Sequence, residues 1–177
     1  MTPPPDPHPH RVYHGSRFDV QQIHLPQHSG GTLARQIVVP HNAVVILPLL
    51  DEQTVVLIRN ERFAVNETLW ELPAGTIETG EDPDVCAGRE LVEETGYQAD
   101  RLQRLTEFYP SPGFCTELLT AYRATGLTHV GQSLDETERI TPEIVPMKQA
   151  MTMIHDRVIR DAKTIATLLF HHCFESL

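Results

Sequence analysis

Apolar and polar residues in the first third of the chain are arranged as they are in β-strands. Between Val12 and Ile58, clusters of β-branched and other apolar residues are separated by Gly, Pro, Asp and Asn. The clusters read VYHGSRFDV, ARQIVV, NAVVILPLL and TVVLIRN. This pattern predicts a mixed or antiparallel sheet in this part of the chain.

Helix signals follow a short apolar stretch, LWELPAG, which begins at Leu69. Asp82 is a residue type that caps helix N-termini, Pro83 suits the first helical position, and Asp84 places an acid in the first turn. Gly96 suits a left-handed cap at the other end. We therefore predict a helix that starts after Asp82 and ends at Gly96.

The second half of the chain predicts two more strands, a loop and two helices. YQADRLQRLTEFY and TELLTAYRA have strand composition, and residues 127–140 are polar and turn-rich, as in a mobile loop. One helix is predicted over about residues 147–157, and Asp161 is the predicted N-cap of the other. The apolar stripe predicted on this last helix consists of Ile165, Leu168, Leu169 and Cys173.

The length of the chain suits a single domain. With 177 residues and 40% hydrophobic content, two separate cores would leave each half too small to bury enough surface. We assign this domain to residues 11–177. Residues 1–10, MTPPPDPHPH, contain five prolines and almost no apolar bulk, so we expect a disordered tail.

Charge and hydropathy narrow the classes of partner. The 24 acidic and 14 basic residues give a net charge of −10, which repels the phosphate backbone of nucleic acids. The longest apolar run, Val44 to Leu50, is far shorter than the roughly 20 residues of a membrane helix, and no signal peptide is visible. Three widely spaced cysteines favour reduced thiols. We expect a cytoplasmic protein that binds neither nucleic acid nor membrane.

Chemistry is concentrated in GTIETGEDPDVCAGRELVEETGY, which runs from Gly75 to Tyr97. Seven of its residues have the spacing GX5EX7REUXEEXGU, in which U is apolar or aromatic and is occupied by Leu91 and Tyr97. At average residue frequencies, such a coincidence arises on the order of once in 10⁸ starting points. The seven residues are Gly75, Glu81, Arg89, Glu90, Glu93, Glu94 and Gly96.

The spacing of the glutamates predicts a metal site. Glu90, Glu93 and Glu94 occupy helix positions i, i+3 and i+4, so their carboxylates share one face and repel by about 0.2–0.5 kcal/mol per pair. A bound cation relieves this repulsion, and hard carboxylate oxygens select Mg²⁺ or Mn²⁺. For an isolated acidic cluster, a solvated helix face is the ordinary alternative, but the full spacing favours the metal site.

The remaining residues of the motif have predicted supporting roles. Arg89 precedes Glu93 by four residues and is expected to orient a carboxylate. Glu81 is expected to hold the preceding loop or to bind a second metal ion. Gly75 and Gly96 bracket the site, where they allow a tight loop before the helix and a left-handed cap after it.

The motif resembles the Nudix box, and the similarity covers residues from about Val12 to Leu169. Three further segments resemble the ADP-ribose pyrophosphatase branch of the Nudix superfamily. LWELPAGTIETGE resembles the entry to the box, which implies that the Ala74 carbonyl holds metal beside Glu90 and Glu94. YPSPGF places Pro112 sixteen residues beyond Gly96, where members active on ADP-ribose have a proline. LDETERI resembles their catalytic loop.

This resemblance implies an α+β fold, a three-layer α/β/α sandwich around a mixed sheet with an N-terminal strand region. It also implies a homodimer in which strands from residues 11–40 exchange between subunits. Arg35 and Arg62 are implied to contact the phosphates or base of the substrate, with surface salt bridges as the alternative. Glu117 is implied to support the terminal ribose. RNER, residues 59–62, stands where relatives commonly have an RQYR-like segment.

The implied activity is Mg²⁺-dependent hydrolysis of the pyrophosphate bond of a nucleoside diphosphate sugar. With ADP-ribose, a metal-activated water attacks one phosphorus in line and yields AMP and ribose 5-phosphate. The implied metal ligands are Ala74, Glu90 and Glu94. Glu136 is the first candidate for the general base, followed by Glu138 and then Glu93, because a loop carboxylate can swing towards the bound substrate.

Three alternatives remain open from the sequence. GDP-mannose or ADP-glucose would be cleaved by the same chemistry, because the box fixes the reaction and other residues select the substrate. A Nudix module that senses ADP-ribose without cutting it would usually have lost the box carboxylates. An enzyme that hydrolyses damaged nucleoside triphosphates would share the box but would have no use for the SPG segment.

Overall fold

The computed structural model describes residues 9–175, which divide into two compact units. The first unit comprises residues 9–42 and 109–118, and the second comprises residues 43–108 and 119–175. Residues 1–8 of the predicted disordered tail lie outside the described residues, whereas His10 already belongs to a strand. Within residues 9–175, no helix is both long and apolar enough to cross a membrane.

The first unit is an antiparallel three-stranded sheet. Its strands, in spatial and chain order, are β1 (His10–His14), β2 (Phe18–Pro26) and β3 (Thr32–Pro40). The predicted cluster VYHGSRFDV contains the turn between β1 and β2, because the Gly15 amide donates to the Phe18 carbonyl at 3.1 Å. Residues 109–118 run beside β3, where the Val38 amide donates to the Phe114 carbonyl at 2.8 Å.

The second unit contains a mixed seven-stranded sheet and three helices. Strands β10, β5, β4, β9 and β8 form the main path of the sheet, while β6 pairs with β5 and β7 with β4. Only the β4–β9 pair is parallel among these described pairs. The elements are β4 (Ala43–Asp51), β5 (Thr54–Arg62), β6 (Glu67–Glu71), β7 (Ala74–Thr76), α1 (Pro83–Thr95), β8 (Tyr97–Phe108), β9 (Leu119–His129), β10 (Ile140–Pro146), α2 (Met147–His155) and α3 (Ala162–Phe174).

Helices cover both faces of this sheet, which confirms the predicted α/β/α sandwich. Residues of β4 alternate between the two faces, and both faces are buried, as the continuous apolar run of this strand predicts. Val44 and Ile46 pack in one cluster with Leu91 of α1. Val45 and Leu47 lie in the opposite cluster, which also contains Ala150, Met153 and Leu168 from α2 and α3.

Both predicted helix caps around the Nudix-like motif are present. The Asp82 carboxylate accepts a hydrogen bond from the Asp84 amide at 2.8 Å, and Pro83 is the first residue of α1. Gly96 ends the helix with φ = 75°, the left-handed conformation that favours glycine. Helix α1 therefore has the bounds that local signals predict, and its three glutamates keep their helical spacing.

Two predictions for the C-terminal part of the chain are wrong. Strand β9 extends to His129, and the residues after the predicted loop form β10, which the sequence pattern did not predict. The segment ITPEIVP contains two prolines, a pattern tolerated at a sheet edge, where β10 pairs with β5 alone among the described strands. Asp161 does cap α3. Leu169 and Cys173 are exposed, however, and the buried positions of α3 are Thr164, Thr167, Leu168 and His171.

Candidate active site

Strand β7 and helix α1 approach each other closely at Gly75. A side chain at Gly75 would place its Cβ 1.8 Å from the Cδ atom of Glu90, so only glycine leaves room for this carboxylate. Gly75 lies in β7 opposite Val44 and does not form the predicted tight loop. The glycine of the motif is therefore required by the close approach of Glu90 to the backbone, and not by the conformation of a turn.

Glu94 is a buried carboxylate that forms no ion pair with the residues that the structure describes. It is 4% exposed, and its Oε2 atom accepts a hydrogen bond from the Ala74 amide at 2.9 Å. Burial raises the pKa of Glu94 to about 8, the Ala74 hydrogen bond opposes this, and the negative charge of Glu90 raises the pKa further. A cation bound beside Glu94 would remove this electrostatic cost.

Arg89 organises the other carboxylates of the motif. It donates hydrogen bonds to Glu81 at 3.0 and 3.1 Å, to Glu90 at 2.8 Å and to Glu93 at 2.9 Å. The predicted contact between Arg89 and Glu93 is therefore present. Chiefly because of the Arg89 hydrogen bond, the pKa of Glu81 falls to about 2. Glu81 also accepts from the Glu78 amide at 2.9 Å, so it holds the loop before α1.

The donor set suits a small hard cation. Among residues 9–175, no three His, Cys, Asp or Glu side chains converge as a ready-made metal site. Arg89 already engages the carboxylates of Glu90 and Glu93. Two carboxylates, Glu90 and Glu94, together with the neighbouring Ala74 carbonyl, fit Mg²⁺, which takes few protein ligands and keeps several waters.

The loop that contains both candidate bases is tied to α1. Gln132 donates from its side chain to the Glu94 carbonyl at 2.6 Å, and the Ser133 amide donates to the Glu93 carbonyl at 3.2 Å. Glu138 accepts from the Asp135 amide at 3.0 Å, and its charge raises the pKa of Glu94. Burial is the largest cause of the raised pKa of Glu90, and the charge of Glu138 raises it further, so Glu138 lies within electrostatic range of both carboxylates.

Glu136 differs from Glu138 in its surroundings. It is exposed, and no hydrogen bond or ion pair of its carboxylate is found among residues 9–175. Only its backbone carbonyl is engaged, by Arg139 at 3.2 Å. The Glu136 carboxylate is therefore free to reorient, whereas Glu138 helps to hold the loop.

Arg62 lies in an ion cluster that the sequence pattern did not predict. Its guanidinium pairs with Glu71, which is 1% exposed and also contacts Lys163 at 2.5 Å. Burial opposes ionisation of Glu71, but the Arg62 hydrogen bond and the charge of Lys163 outweigh it and lower the pKa. The signal available in the sequence was an acid between Trp70 and Leu72 in the apolar stretch LWELPAG, because buried acids are rarely unpaired.

The other three predicted substrate residues belong to the first unit. Arg35 is exposed on β3, while Pro112 is exposed and Glu117 half-buried in the segment 109–118. Their contacts with substrate remain predictions, as does the assignment of residues 11–177 to one domain.

Comparisons with known proteins agree on the family. A family model described as the NUDIX domain matches residues 39–168. An ADP-ribose pyrophosphatase of Bacillus subtilis (strain 168) is 34% identical over 171 residues, which cover 94% of this chain and 91% of the relative. A GDP-mannose pyrophosphatase of Citrobacter koseri is 35% identical over 142 residues, or 75% of this chain and 73% of the relative.

A solved structure has the same fold. The crystal structure of an ADP compounds hydrolase superposes with a TM-score of 0.81 at 23% sequence identity. The match covers 97% of this chain and 95% of that chain. The arrangement of strands and helices described above is therefore shared over almost the whole chain.

Proposed function

The chain belongs to the Nudix family, and on that premise we propose that this Nudix hydrolase cleaves the pyrophosphate bond of a nucleoside diphosphate sugar. ADP-ribose is the proposed preferred substrate, with AMP and ribose 5-phosphate as products. The observation that carries the proposal is the pair of glutamates, Glu90 and Glu94, packed against Gly75 and Ala74 at the start of the motif. Such a pair suits a cation that binds a diphosphate.

The proposed metal is Mg²⁺, with Mn²⁺ as a substitute, and the Ala74 carbonyl, Glu90 and Glu94 are its proposed ligands. When bound, the metal would supply charge neutralisation for the diphosphate and a water of lowered pKa. Arg89 fixes Glu90 in place, and the Ala74 amide fixes Glu94. Glu93 and Glu81 are secondary candidates for a further ion.

A glutamate of the loop before β10 is the proposed general base. Glu136 is the first candidate, because its carboxylate is exposed and free to turn towards an attacking water. Glu138 is the second, since its charge acts on Glu90 and Glu94. Glu93 is the third, because its carboxylate is already engaged by Arg89 at 2.9 Å.

The choice of sugar nucleotide rests on residues outside the motif. We propose that Arg35, Arg62, Pro112 and Glu117 contribute to binding of the substrate. ADP-ribose is favoured because relatives named ADP-ribose pyrophosphatases, from Bacillus subtilis and Mycobacterium tuberculosis, match 94% and 91% of this chain. The relatives named GDP-mannose pyrophosphatases match 73–75% of it, which makes GDP-mannose the second candidate.

A substrate panel tests the proposal and its metal dependence. Release of AMP from ADP-ribose, ADP-glucose, NADH and ATP, and of GMP from GDP-mannose, is measured with Mg²⁺ and with EDTA. We expect ADP-ribose to have the highest kcat/KM and EDTA to abolish turnover, because the diphosphate charge then has no counter-ion. A higher kcat/KM for GDP-mannose would make GDP-mannose the preferred substrate. Binding of ADP-ribose without turnover would indicate a sensing module.

We also propose that the first unit takes part in a homodimer. Its described strands expose large apolar side chains at several positions, and such side chains are common in protein interfaces. Light scattering at micromolar concentration should give twice the chain mass of 20.0 kDa. A monomeric mass at all concentrations would exclude the dimer. The exposed residues are Val12, Tyr13, Phe18, Leu25 and Leu33.

A further inference from the structure

Arg62 is held in a side-on ion pair by a buried acid. Its Nε atom donates to Glu71 Oε1 at 2.8 Å, and its Nη2 atom donates to Glu71 Oε2 at 2.6 Å. Glu71 is 1% exposed. Two parallel hydrogen bonds to an immobile carboxylate fix both the position and the plane of the guanidinium group.

This arrangement leaves one edge of Arg62 without a hydrogen-bond partner in the described part of the chain. The side chain of Arg62 is 40% exposed, and no hydrogen bond joins Nη1 to any of the described residues. Glu71, which holds Arg62, lies three residues before Ala74, and the Ala74 amide donates to the proposed metal ligand Glu94 at 2.9 Å. The guanidinium is therefore held on the chain segment that contacts the proposed metal ligands, and its Nη1 atom can still donate a hydrogen bond.

Glu71 is itself anchored to α3. Lys163 contacts Glu71 at 2.5 Å and Asp161 at 3.0 Å. In the neighbouring peptide, the Leu72 amide donates to the Thr164 hydroxyl at 2.8 Å. This hydrogen bond attaches the strand end that contains Glu71 to the first turn of α3, where Thr164 is fully buried.

We propose that Glu71 is a positioning residue, which holds Arg62 so that its Nη1 atom donates to a phosphate oxygen of the nucleotide substrate. Glu71 does not touch the substrate and acts only through Arg62. A rigid, pre-oriented guanidinium loses little conformational entropy when it binds a phosphate, so its contact strengthens binding. This inference rests on the proposed function, because it requires a phosphate-containing substrate at Glu94.

The competing explanation is that the cluster only stabilises the fold. Removing one partner of a buried ion pair destabilises a protein whether or not the other partner binds a ligand. Loss of activity alone would therefore not distinguish the two roles. The two roles are distinguished by whether substitutions of Glu71 and Arg62 raise KM independently or through loss of the same contact with the substrate.

A double-mutant cycle provides this measurement. Arg62→Met, Glu71→Gln and the double variant are compared with wild type by KM and kcat for ADP-ribose and by melting temperature. We expect Arg62→Met to raise KM about 10- to 100-fold with little change in kcat, as for loss of a hydrogen bond to a charged group. Glu71→Gln should raise KM by about 10-fold, and the double variant should be no worse than Arg62→Met.

Lys163→Met is the matched control. It removes the second cation from Glu71 but leaves both Arg62 hydrogen bonds in place. We expect it to lower the melting temperature by an amount comparable with Glu71→Gln while KM stays near the wild-type value. A normal KM for Glu71→Gln, or additive effects in the double variant, would overturn the inference.

Failure of the proposed function is recognised separately. A folded wild-type protein that cleaves no nucleoside diphosphate sugar contradicts the proposed reaction. In that case, calorimetric titration of the same four variants with ADP-ribose decides the inference. Weakened and non-additive binding for Arg62→Met and Glu71→Gln would support the positioning role, and unchanged binding would exclude it.

Discussion

Replacement of Glu94 by Gln should abolish hydrolysis and at the same time stabilise the metal-free protein. Gln has the same shape, and its side-chain oxygen can still accept the hydrogen bond that the Ala74 amide donates at 2.9 Å. It lacks the charge that a hard cation requires, so kcat/KM for ADP-ribose should fall about 10³-fold or more. An unchanged rate at saturating Mg²⁺ would contradict the proposed role of Glu94.

The gain in stability follows from the pKa of Glu94. Burial raises this pKa from 4.5 to about 8, so between these two pH values the folded state keeps a proton that the unfolded chain has lost. Below about pH 4.5, Glu94 is protonated in both the folded and the unfolded state, and its contribution to the free energy of unfolding is greatest. The free energy of unfolding falls as pH rises from about 4.5 to about 8 and levels off above this range, where both states have lost the proton, whereas the amide introduced by Glu94→Gln does not titrate.

Calorimetry in EDTA measures this effect. At pH 8 or above, Glu94→Gln should raise the free energy of unfolding by up to a few kcal/mol, and near pH 4.5 it should have little effect. Glu52→Gln, at an exposed position in the turn between β4 and β5, is the control for removal of one negative charge. If the two substitutions changed the free energy of unfolding equally at both pH values, burial would not govern the pKa of Glu94.

Replacement of Glu136 by Gln should lower kcat about 10²- to 10⁴-fold and leave KM almost unchanged, as expected when a general base is removed. Its carboxylate is exposed and has no hydrogen-bond or ion-pair partner among the described residues, so its loss should not disturb the loop. Melting temperature and bound Mg²⁺ are measured in parallel to confirm that the fold and the metal site persist.

Glu138→Gln is the matched variant on the same loop. Glu138 accepts from the Asp135 amide at 3.0 Å, and Gln can retain this hydrogen bond. Its charge acts on Glu90 and Glu94, so the variant should shift the apparent affinity for Mg²⁺ more than it lowers kcat at saturating metal. A larger loss of kcat in Glu138→Gln than in Glu136→Gln would assign the base to Glu138.

Local features of the sequence were sufficient to predict much of the site. The caps Asp82 and Gly96 lie at the predicted ends of α1, because capping depends on residues within one helical turn. The contact between Arg89 and Glu93 follows from helical spacing alone. The sandwich was predicted through resemblance to a family, and the buried run of β4 is consistent with it.

Other parts of the site depend on residues that are distant in the sequence. Glu71 and Lys163 are 92 positions apart, and nothing in either neighbourhood specifies the other. Gly75 looked like a turn glycine, but its requirement comes from Glu90, which reaches β7 from another element. Strand β10 was missed because its two prolines are acceptable only at a sheet edge, and edge position is a property of the whole sheet.

The sequence by itself therefore determined the family, the bounds of α1 and the carboxylates of the motif, since each depends on interactions within a few residues or on a fixed spacing. Only the tertiary structure decided which carboxylate is deeply buried, which arginine is held by Glu71 and which loop glutamate stays free. Burial, charge pairing and close approach arise when separate elements pack together. Their energies depend on distances in space that no linear spacing defines.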